Sequence, residues 1–403
     1  MSENHPEQSA PLFNEFEATS KQEWLAITNG ELKDNKYENL IWSPENSLNV
    51  EPYYTLDESS SLEFLKSYYH HTQKDLSRRD WSKICPVQLN HFNRKNEALG
   101  YSKKLIEIGA DGFFITIDSQ VEWQRHLVIE LSKTYPKSYF FFEDLNVSHP
   151  LASFQFQKHG SGSASRGGVS VPIKNISDFK IPDPDHIAPC LHLKNFLSLG
   201  IPDAYNLEEK YPDTTELALC LSIVVEIIDR YTERDYVLEN IISNIWFQKK
   251  INQSFFLEIA KLKALRVLFH SMICQYPGVE YQPENLFIQA ITYPENNEFD
   301  TGYKLLKNIN STLAAILGGA NSICNFSPNL KTEPDNLNEQ RIRLNNSYLL
   351  QYESFLDKVI DPLAGAYYID QLVNALSREA WKKFQEIEAQ GGLKAFSKDL
   401  KAL

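Results

Sequence analysis

Helical and strand-like periods alternate through most of this 403-residue chain, and that alternation limits the available folds more than any single residue does. His91 to Ile108 carries helical spacing and ends in a turn at Gly109 and Asp111-Gly112, from which Phe113 to Ile117 runs as a compact apolar strand. A second helix, Gln120 to Thr134, leads into the apolar run Ser138 to Phe142. Further strands are expected at Val169 to Val171, Phe179 to Ile181, Leu191 to Phe196, Ile241 to Phe247, Phe287 to Thr292 and Ser322 to Cys324. Helices are expected at Thr215 to Arg230, Ser254 to Phe269, Leu305 to Leu317 and Asn338 to Leu356, and that over Ser254 to Phe269 reads as cleanly amphipathic. Apolar runs buried on both faces and joined by helices make a parallel sheet. The count comes close to eight strand–helix pairs. An α/β fold of the (β/α)8 TIM-barrel type is therefore expected, with a doubly wound sheet as the alternative.

The stretch Val359 to Gly392 closes the pattern. Asp361-Pro362-Leu363-Ala364-Gly365 is a turn, and Ile369, Leu372, Val373, Leu376, Ala380, Phe384 and Ile387 then recur at helical spacing until Gly391-Gly392. Ser377, Arg378, Lys382, Gln385 and Glu388 mark the opposite, solvent-facing side. At the other end, residues 1 to 55 form an arm with a short helix over Lys21 to Asn29 and a run of aromatics, Tyr37, Trp42, Tyr53 and Tyr54. Too few apolar residues are present there to close a core, so the arm is expected to lie on residues 56 to 403, which form the barrel, or on a partner.

A formal net charge of −13 disfavours nucleic acid and membrane surfaces, both of which select clustered Lys and Arg. No apolar run approaches the roughly 18 residues of a membrane span, and no export signal opens the chain, so a cytoplasmic protein is expected. Cys85, Cys190, Cys220, Cys274 and Cys324 have no metal-like spacing and read as reduced thiols. His70-His71 with Asp75, Arg78-Arg79 and Asp80 lacks a third ligand at useful spacing and reads as polar surface. Asp183-Pro184-Asp185-His186 reads as a turn. The segment His159 to Gly168, HGSGSASRGG, has the glycines and the Arg of a phosphate cradle, but its spacing matches no phosphate-binding motif, and a loop is the expectation. No GxSxG supports a serine hydrolase.

Longer motifs carry a resemblance. Phe255 to Arg266, FFLEIAKLKALR, is similar to the FFxEVAKLRAAR helix of the cobalamin-dependent methylmalonyl-CoA mutases. Ser311 to Ser327 resembles their EALAAxLGGTQSLHTNS segment, and Arg341 to Ser354 resembles RIARNTQLxLQxES. Val359 to Gly392 resembles VxDPxxGSYYVE followed by EIExxGG, and Gln22-Glu23-Trp24 with Val50 to Thr55 looks like the family's junction of arm and barrel. The resemblance implies a barrel whose axis takes acyl-CoA, lying beneath a cobalamin domain, and a radical interconversion of methylmalonyl-CoA and succinyl-CoA begun by adenosylcobalamin.

The departures fall on the substrate-holding positions of that family. Its RTHSQ segment, whose Arg would pair with a substrate carboxylate, is matched by the uncharged Leu286-Phe287-Ile288-Gln289-Ala290. Its Tyr-His pair is matched nearest by Tyr205-Asn206, and TQSLHTN has become Ala320-Asn321-Ser322-Ile323-Cys324-Asn325. Tyr205, Asn206, Gln289 and Asn321 are thus degenerate substrate positions, and no catalytic, cofactor or metal residue is assigned. The DxHxxG cobalt-binding motif does not occur, so no cobalamin domain is expected in this chain. The resemblance is to the non-catalytic small subunit of a heterodimeric mutase of propionate metabolism, with adenosylcobalamin held by a larger catalytic partner and a homodimer allowed in its absence. A substrate barrel served by a separate cobalamin protein, and a CoA-ester-binding barrel without chemistry, are the alternatives.

Overall fold

The computed structural model describes residues 19–33, 35–45, 48–55, 79–118, 120–144, 166–170, 181–187, 190–191, 195–202, 211–252, 254–292, 301–326 and 336–396. The chain divides into two compact units, Met1–Ser61 and Leu62–Leu403. In the first, helix α1 (Lys21–Glu31) starts at a capping box: the Ser20 hydroxyl accepts from the Glu23 N–H, and the Glu23 carboxylate accepts from the Ser20 N–H. None of its residues is buried. Strands β1 (Trp42–Glu45) and β2 (Leu48–Val50) pair antiparallel. Leu48 and Val50 of β2 are buried, and aromatic contacts add to them, with the Trp24 ring 4.9 Å from Tyr53 and 6.4 Å from Tyr37.

The second unit is a closed parallel barrel. Its strands are β3 (Ser82–Gln88), β4 (Gly112–Ile117), β5 (Tyr139–Asp144), β6 (Arg166–Ser170), β7 (Phe196–Ile201), β8 (Ile245–Ile251), β9 (Phe287–Thr292) and β10 (Ser322–Asn325), and β10 pairs with β3 to close the ring. Around it lie α2 (Lys95–Glu107), α3 (Glu122–Thr134), α4 (Pro184–Ile187), α5 (Asp213–Thr232), α6 (Leu238–Asn244), α7 (Phe255–Ile273), α8 (Thr301–Gly318), α9 (Leu337–Tyr352) and α10 (Tyr367–Ala389). The fold is a (β/α)8 TIM barrel. Among the described residues no helix is long and apolar enough to cross a membrane.

Several local expectations shift. Arg166-Gly167-Gly168 is not loop but the start of β6, because the two glycines admit close neighbours: a Cβ on Gly167 would lie 1.9 Å from the Phe140 carbonyl oxygen. The strand expected at Leu191 to Phe196 instead begins at Phe196. Ile241 to Asn244 is helical, and the strand starts at Ile245; Asn244 marks the junction, accepting from the Ser198 N–H and donating to the carbonyls of Leu191 and Asn240. Asp183 to His186 forms part of a helical turn, with Arg234 bridging Asp183 and Asp185 at 2.9 Å each. The first helix expected from His91 begins at Lys95, after a 3-10 turn over Leu89–His91. Helix α9 ends at Tyr352 rather than Leu356. His70-His71, Asp75, Arg78 and Phe179-Lys180 lie outside the described residues.

Helix α10 buries the seven apolar residues of its expected face and packs on α5 and α7, although Ser377, assigned to the solvent side, is buried too. Helix α7 departs further from expectation. It is buried nearly all round, Glu258, Lys261, Lys263 and Arg266 included. These charges are tolerated because each meets a partner. Arg266, for example, donates to the carbonyls of Pro283 (2.8 Å), Leu286 (2.6 Å) and Gly319 (3.0 Å) and to the Asn321 side chain (3.2 Å), tying together the segments that enter β9 and β10.

Candidate functional site in the barrel lumen

Strand alternation sorts the barrel side chains into two sets. Cys85, Val87, Phe113, Ile115, Ile117, Phe140 and Phe142 face the helices and share a core with Ala98, Leu105, Leu127, Leu131 and Leu344. The other parity faces the axis: Ile84, Phe114, Phe141, Trp246, Ile291, Cys324 and Phe326 form a second cluster, with Tyr139, Leu197 and Phe287 against it.

This inner cluster closes the axis. Strands β5 and β9 stand opposite one another in the eight-strand ring. Their Phe141 and Phe287 rings nevertheless lie only 5.5 Å apart, centroid to centroid. The Trp246 indole packs 5.4 Å from Phe141 and 6.4 Å from Phe287. It fits because β6 and β7 carry glycine where a side chain would collide: a Cβ on Gly168 would come within 2.8 Å of the indole nitrogen, and one on Gly200 within 2.7 Å of the ring. Phe114 and Phe326 add a further pair at 5.6 Å. Ring pairs at such distances are in direct contact, leaving no width for a ligand chain between them.

Polar groups share the lumen with this plug. Gln248 donates to the Gln289 carbonyl oxygen at 3.1 Å, both fully buried. Towards the C-terminal ends of the strands, where TIM-barrel sites form, Gln88, Thr116, Glu143 and Ser170 stand in register across β3 to β6. Thr116 donates to the Glu143 carboxylate at 3.4 Å. This belt offers an amide, two hydroxyls and a carboxylate, without the imidazole or thiolate that would suit cobalt. Among the described residues no group of three or more His, Cys, Asp and Glu is placed to hold a metal ion.

The family model described as Methylmalonyl-CoA mutase matches residues 205–400. The chain is 27% identical over 410 residues to the methylmalonyl-CoA mutase small subunit of Porphyromonas gingivalis, an alignment covering 94% of this chain and 65% of that protein. It is 25% identical to a methylmalonyl-CoA mutase of Rhizobium meliloti, covering 92% of this chain and 58% of the relative. The chain belongs to the methylmalonyl-CoA mutase family. It spans less than two thirds of the length of either of these relatives. The small subunit of Propionibacterium freudenreichii subsp. shermanii is 31% identical over 184 residues, covering 45% of this chain and 28% of that one. A solved dihydropteroate synthase from Xanthomonas albilineans aligns over 68% of this chain and 94% of that chain, with a TM-score of 0.41 and 10% identity, too distant to carry an argument.

In this mutase-family barrel Gln289 and Asn321, the two described degenerate substrate positions, do not converge. Gln289 points into the lumen. Asn321, of the opposite parity at the entry to β10, turns its carboxamide oxygen to the Ile288 N–H (2.8 Å) and to Arg266 (3.2 Å), where it caps a strand. Tyr205 and Asn206 lie outside the described residues. Phe287, at the strand matched to the family's Arg-bearing segment, is part of the plug.

A cluster of buried charge occupies the layer between β8 and the helices. Lys249 pairs with Glu216, and its ammonium lies 3.7 Å from the Cys220 sulfur. Lys261 is 3.1 Å from both Asp213 and Glu258. Burial pushes the Glu258 carboxyl above its ordinary range, opposed chiefly by Lys261. Both lysine side chains are fully buried, so the cluster anchors α7 to β8 and α5 and offers no surface to a substrate.

Sequence reading missed β3, whose Pro86 argues against a strand; the proline is accommodated beyond the last pair with β10, Cys324 with Ile84. It also missed Trp246 as the plug. Gly168 and Gly200 were the available signal, since a glycine within a strand marks a close approach.

Proposed function

We propose that this chain is the non-catalytic small subunit of a heterodimeric, adenosylcobalamin-dependent methylmalonyl-CoA mutase, and that a larger mutase chain holds substrate and cofactor. The contact of Phe141 with Phe287 across the barrel carries this reading, because it occupies the axis along which the family resemblance would place a CoA ester. The described lumen does not fit that ligand. It presents packed rings where a thioester would need width and a donor, and the position matched to the carboxylate-binding Arg lies in an uncharged strand. Cobalamin finds no ligand in the described polar belt either, so no step of the isomerisation is assigned to these residues. What this chain supplies is a rigid barrel: a lumen closed by aromatic packing, an ion-paired α7 and the Arg266 staple. Relatives named as small subunits and as a large subunit support a two-chain assembly.

The test is co-expression of the tagged chain with a larger mutase chain from its own genome. Stoichiometric co-purification is expected, with conversion of methylmalonyl-CoA to succinyl-CoA by the complex and none by this chain alone. A tight one-to-one complex of the isolated chain with a CoA ester, seen by calorimetry, would overturn the proposal.

A further inference from the structure

Helices α7 and α10 pack side by side but leave a groove of about 530 Å3 between them, a volume in the range of small-molecule sites. Its floor is apolar, made by the buried Val267 and Leu268 of α7. One wall is the half-buried Trp381 of α10, whose ring is steadied by the Phe384 ring 5.4 Å away. Arg378 and Lys382 stand exposed at the mouth, one helical turn apart on α10. By periodicity alone Ser377, Arg378 and Lys382 belong to the solvent side of an amphipathic helix. The fold turns part of that side onto α7.

Charge is the first sign of a ligand. The chain carries 53 acidic residues and a net charge of −13, yet none of the nine residues lining the groove is acidic and two are cationic. Neither Arg378 nor Lys382 makes an ion pair or a side-chain hydrogen bond among the described residues, whereas the adjacent Lys383 pairs with Glu386 at 3.3 Å. Ser377 is the second sign, independent of the first. It lines the groove and is only 6% exposed, but its hydroxyl has no partner among the described residues. A serine within a helix commonly bonds the carbonyl one turn back. Here the partner has to come from what occupies the groove.

We propose that this groove is a binding site for a carboxylate-headed amphiphile of small-molecule size. The Arg378 guanidinium matches a carboxylate with two parallel N–H donors, and Lys382 adds a second positive charge beside it. The apolar body of the ligand lies on Val267 and Leu268 and against the Trp381 ring. A bare anion would leave that floor wet. An uncharged apolar ligand would cover two cations without pairing them.

Calorimetric titration of the full chain with octanoate tests this, with octanol and octyltrimethylammonium as the uncharged and cationic comparisons. Octanoate is expected to bind one-to-one, and the other two about tenfold more weakly or less. The double variant Arg378→Gln/Lys382→Gln changes only exposed positions, so the fold is kept, and it is expected to weaken octanoate by about tenfold or more. Lys383→Gln removes a cation of the same helix that does not line the groove and is expected to leave the affinity within about twofold. Ser271→Trp fills the groove from α7 and is expected to abolish binding, with circular dichroism unchanged. Absence of octanoate binding, equal affinity for octanol, indifference to Ser271→Trp, or a loss in Lys383→Gln as large as in the double variant would each overturn the inference. Octanoate carries no coenzyme A and the variants leave the barrel lumen untouched, so either outcome is separate from the co-purification test above.

Discussion

Removing the indole from the lumen is the sharpest probe of the closed barrel. Trp246 is fully buried and touches Phe141, Phe287 and the backbone at Gly168 and Gly200. A buried aromatic removes about 150–250 Å² from water, which at about 25 cal/mol per Å² corresponds to about 4–6 kcal/mol. Core Trp→Ala changes cost about 3–5 kcal/mol once the cavity relaxes in part. Trp246→Ala is therefore expected to lose about 3–5 kcal/mol. Trp246→Phe behaves differently. The indole N–H has no hydrogen-bond partner among the described residues, and removing a buried, unsatisfied donor returns about 1–3 kcal/mol. That gain offsets most of the lost area, so Trp246→Phe is expected to cost about 1 kcal/mol or less. Urea unfolding followed by far-UV circular dichroism measures both, with the midpoint shifting at constant slope. The cavity left by alanine is lined by Phe141 and Phe287, and an apolar cavity accepts an aromatic guest. Added indole should return about 1.4 kcal/mol for each tenfold excess over its dissociation constant. Equal stability of the alanine and phenylalanine variants, with no response to indole, would refute a packed lumen.

Two further outcomes follow from the buried charges. Lys261→Met strips Glu258 of its principal counter-charge and is expected to cost about 3–5 kcal/mol at neutral pH. Because burial already raises the Glu258 carboxyl in the folded state, its ionisation weakens the fold as pH rises above the unfolded carboxyl range. The variant raises that carboxyl further, so its deficit should shrink as pH falls toward about 5; a deficit independent of pH in urea melts would contradict the assignment. Arg266→Met leaves the carbonyls of Pro283, Leu286 and Gly319 without their donor, with an expected loss of about 2–4 kcal/mol. Faster amide exchange should be confined first to residues 284–286 and 319–321, and exchange rising uniformly over the barrel would count against the staple.

The alternation of apolar runs with helical periods sufficed for the barrel because both signals are local. The runs Phe113–Ile117 and Phe287–Thr292 are buried on both faces, so their structure does not depend on what lies opposite. Boundaries were less legible where an apolar run continues through a change of element, as at Ile241 to Phe247, since isoleucine packs equally well at the end of a helix and the start of a strand. The Gly-rich run was misread for a related reason. Glycine is the residue of both a flexible loop and a crowded strand, and only the Trp246 indole against Gly168 distinguishes them. The charges of α7 reveal little by themselves, because Lys and Glu at helical spacing look alike whether they face water or buried partners.

The sequence by itself determined the fold class and, through long co-linear motifs, the family resemblance, because packing helices and turns keep their wording over contiguous residues. Closure of the lumen was decided only by tertiary structure. Phe141 and Phe287 are far apart in the chain and meet because a closed ring of eight strands sets them face to face. The outward turn of α9 was decided there too. Its periodicity alone would bury Ile342 and Leu349, but hydrogen bonds from its polar side to Cys85, Asn308 and Asp80 hold that side inward. A buried polar group left without a partner costs more than an apolar side chain left in water, and that inequality sets the face α9 presents.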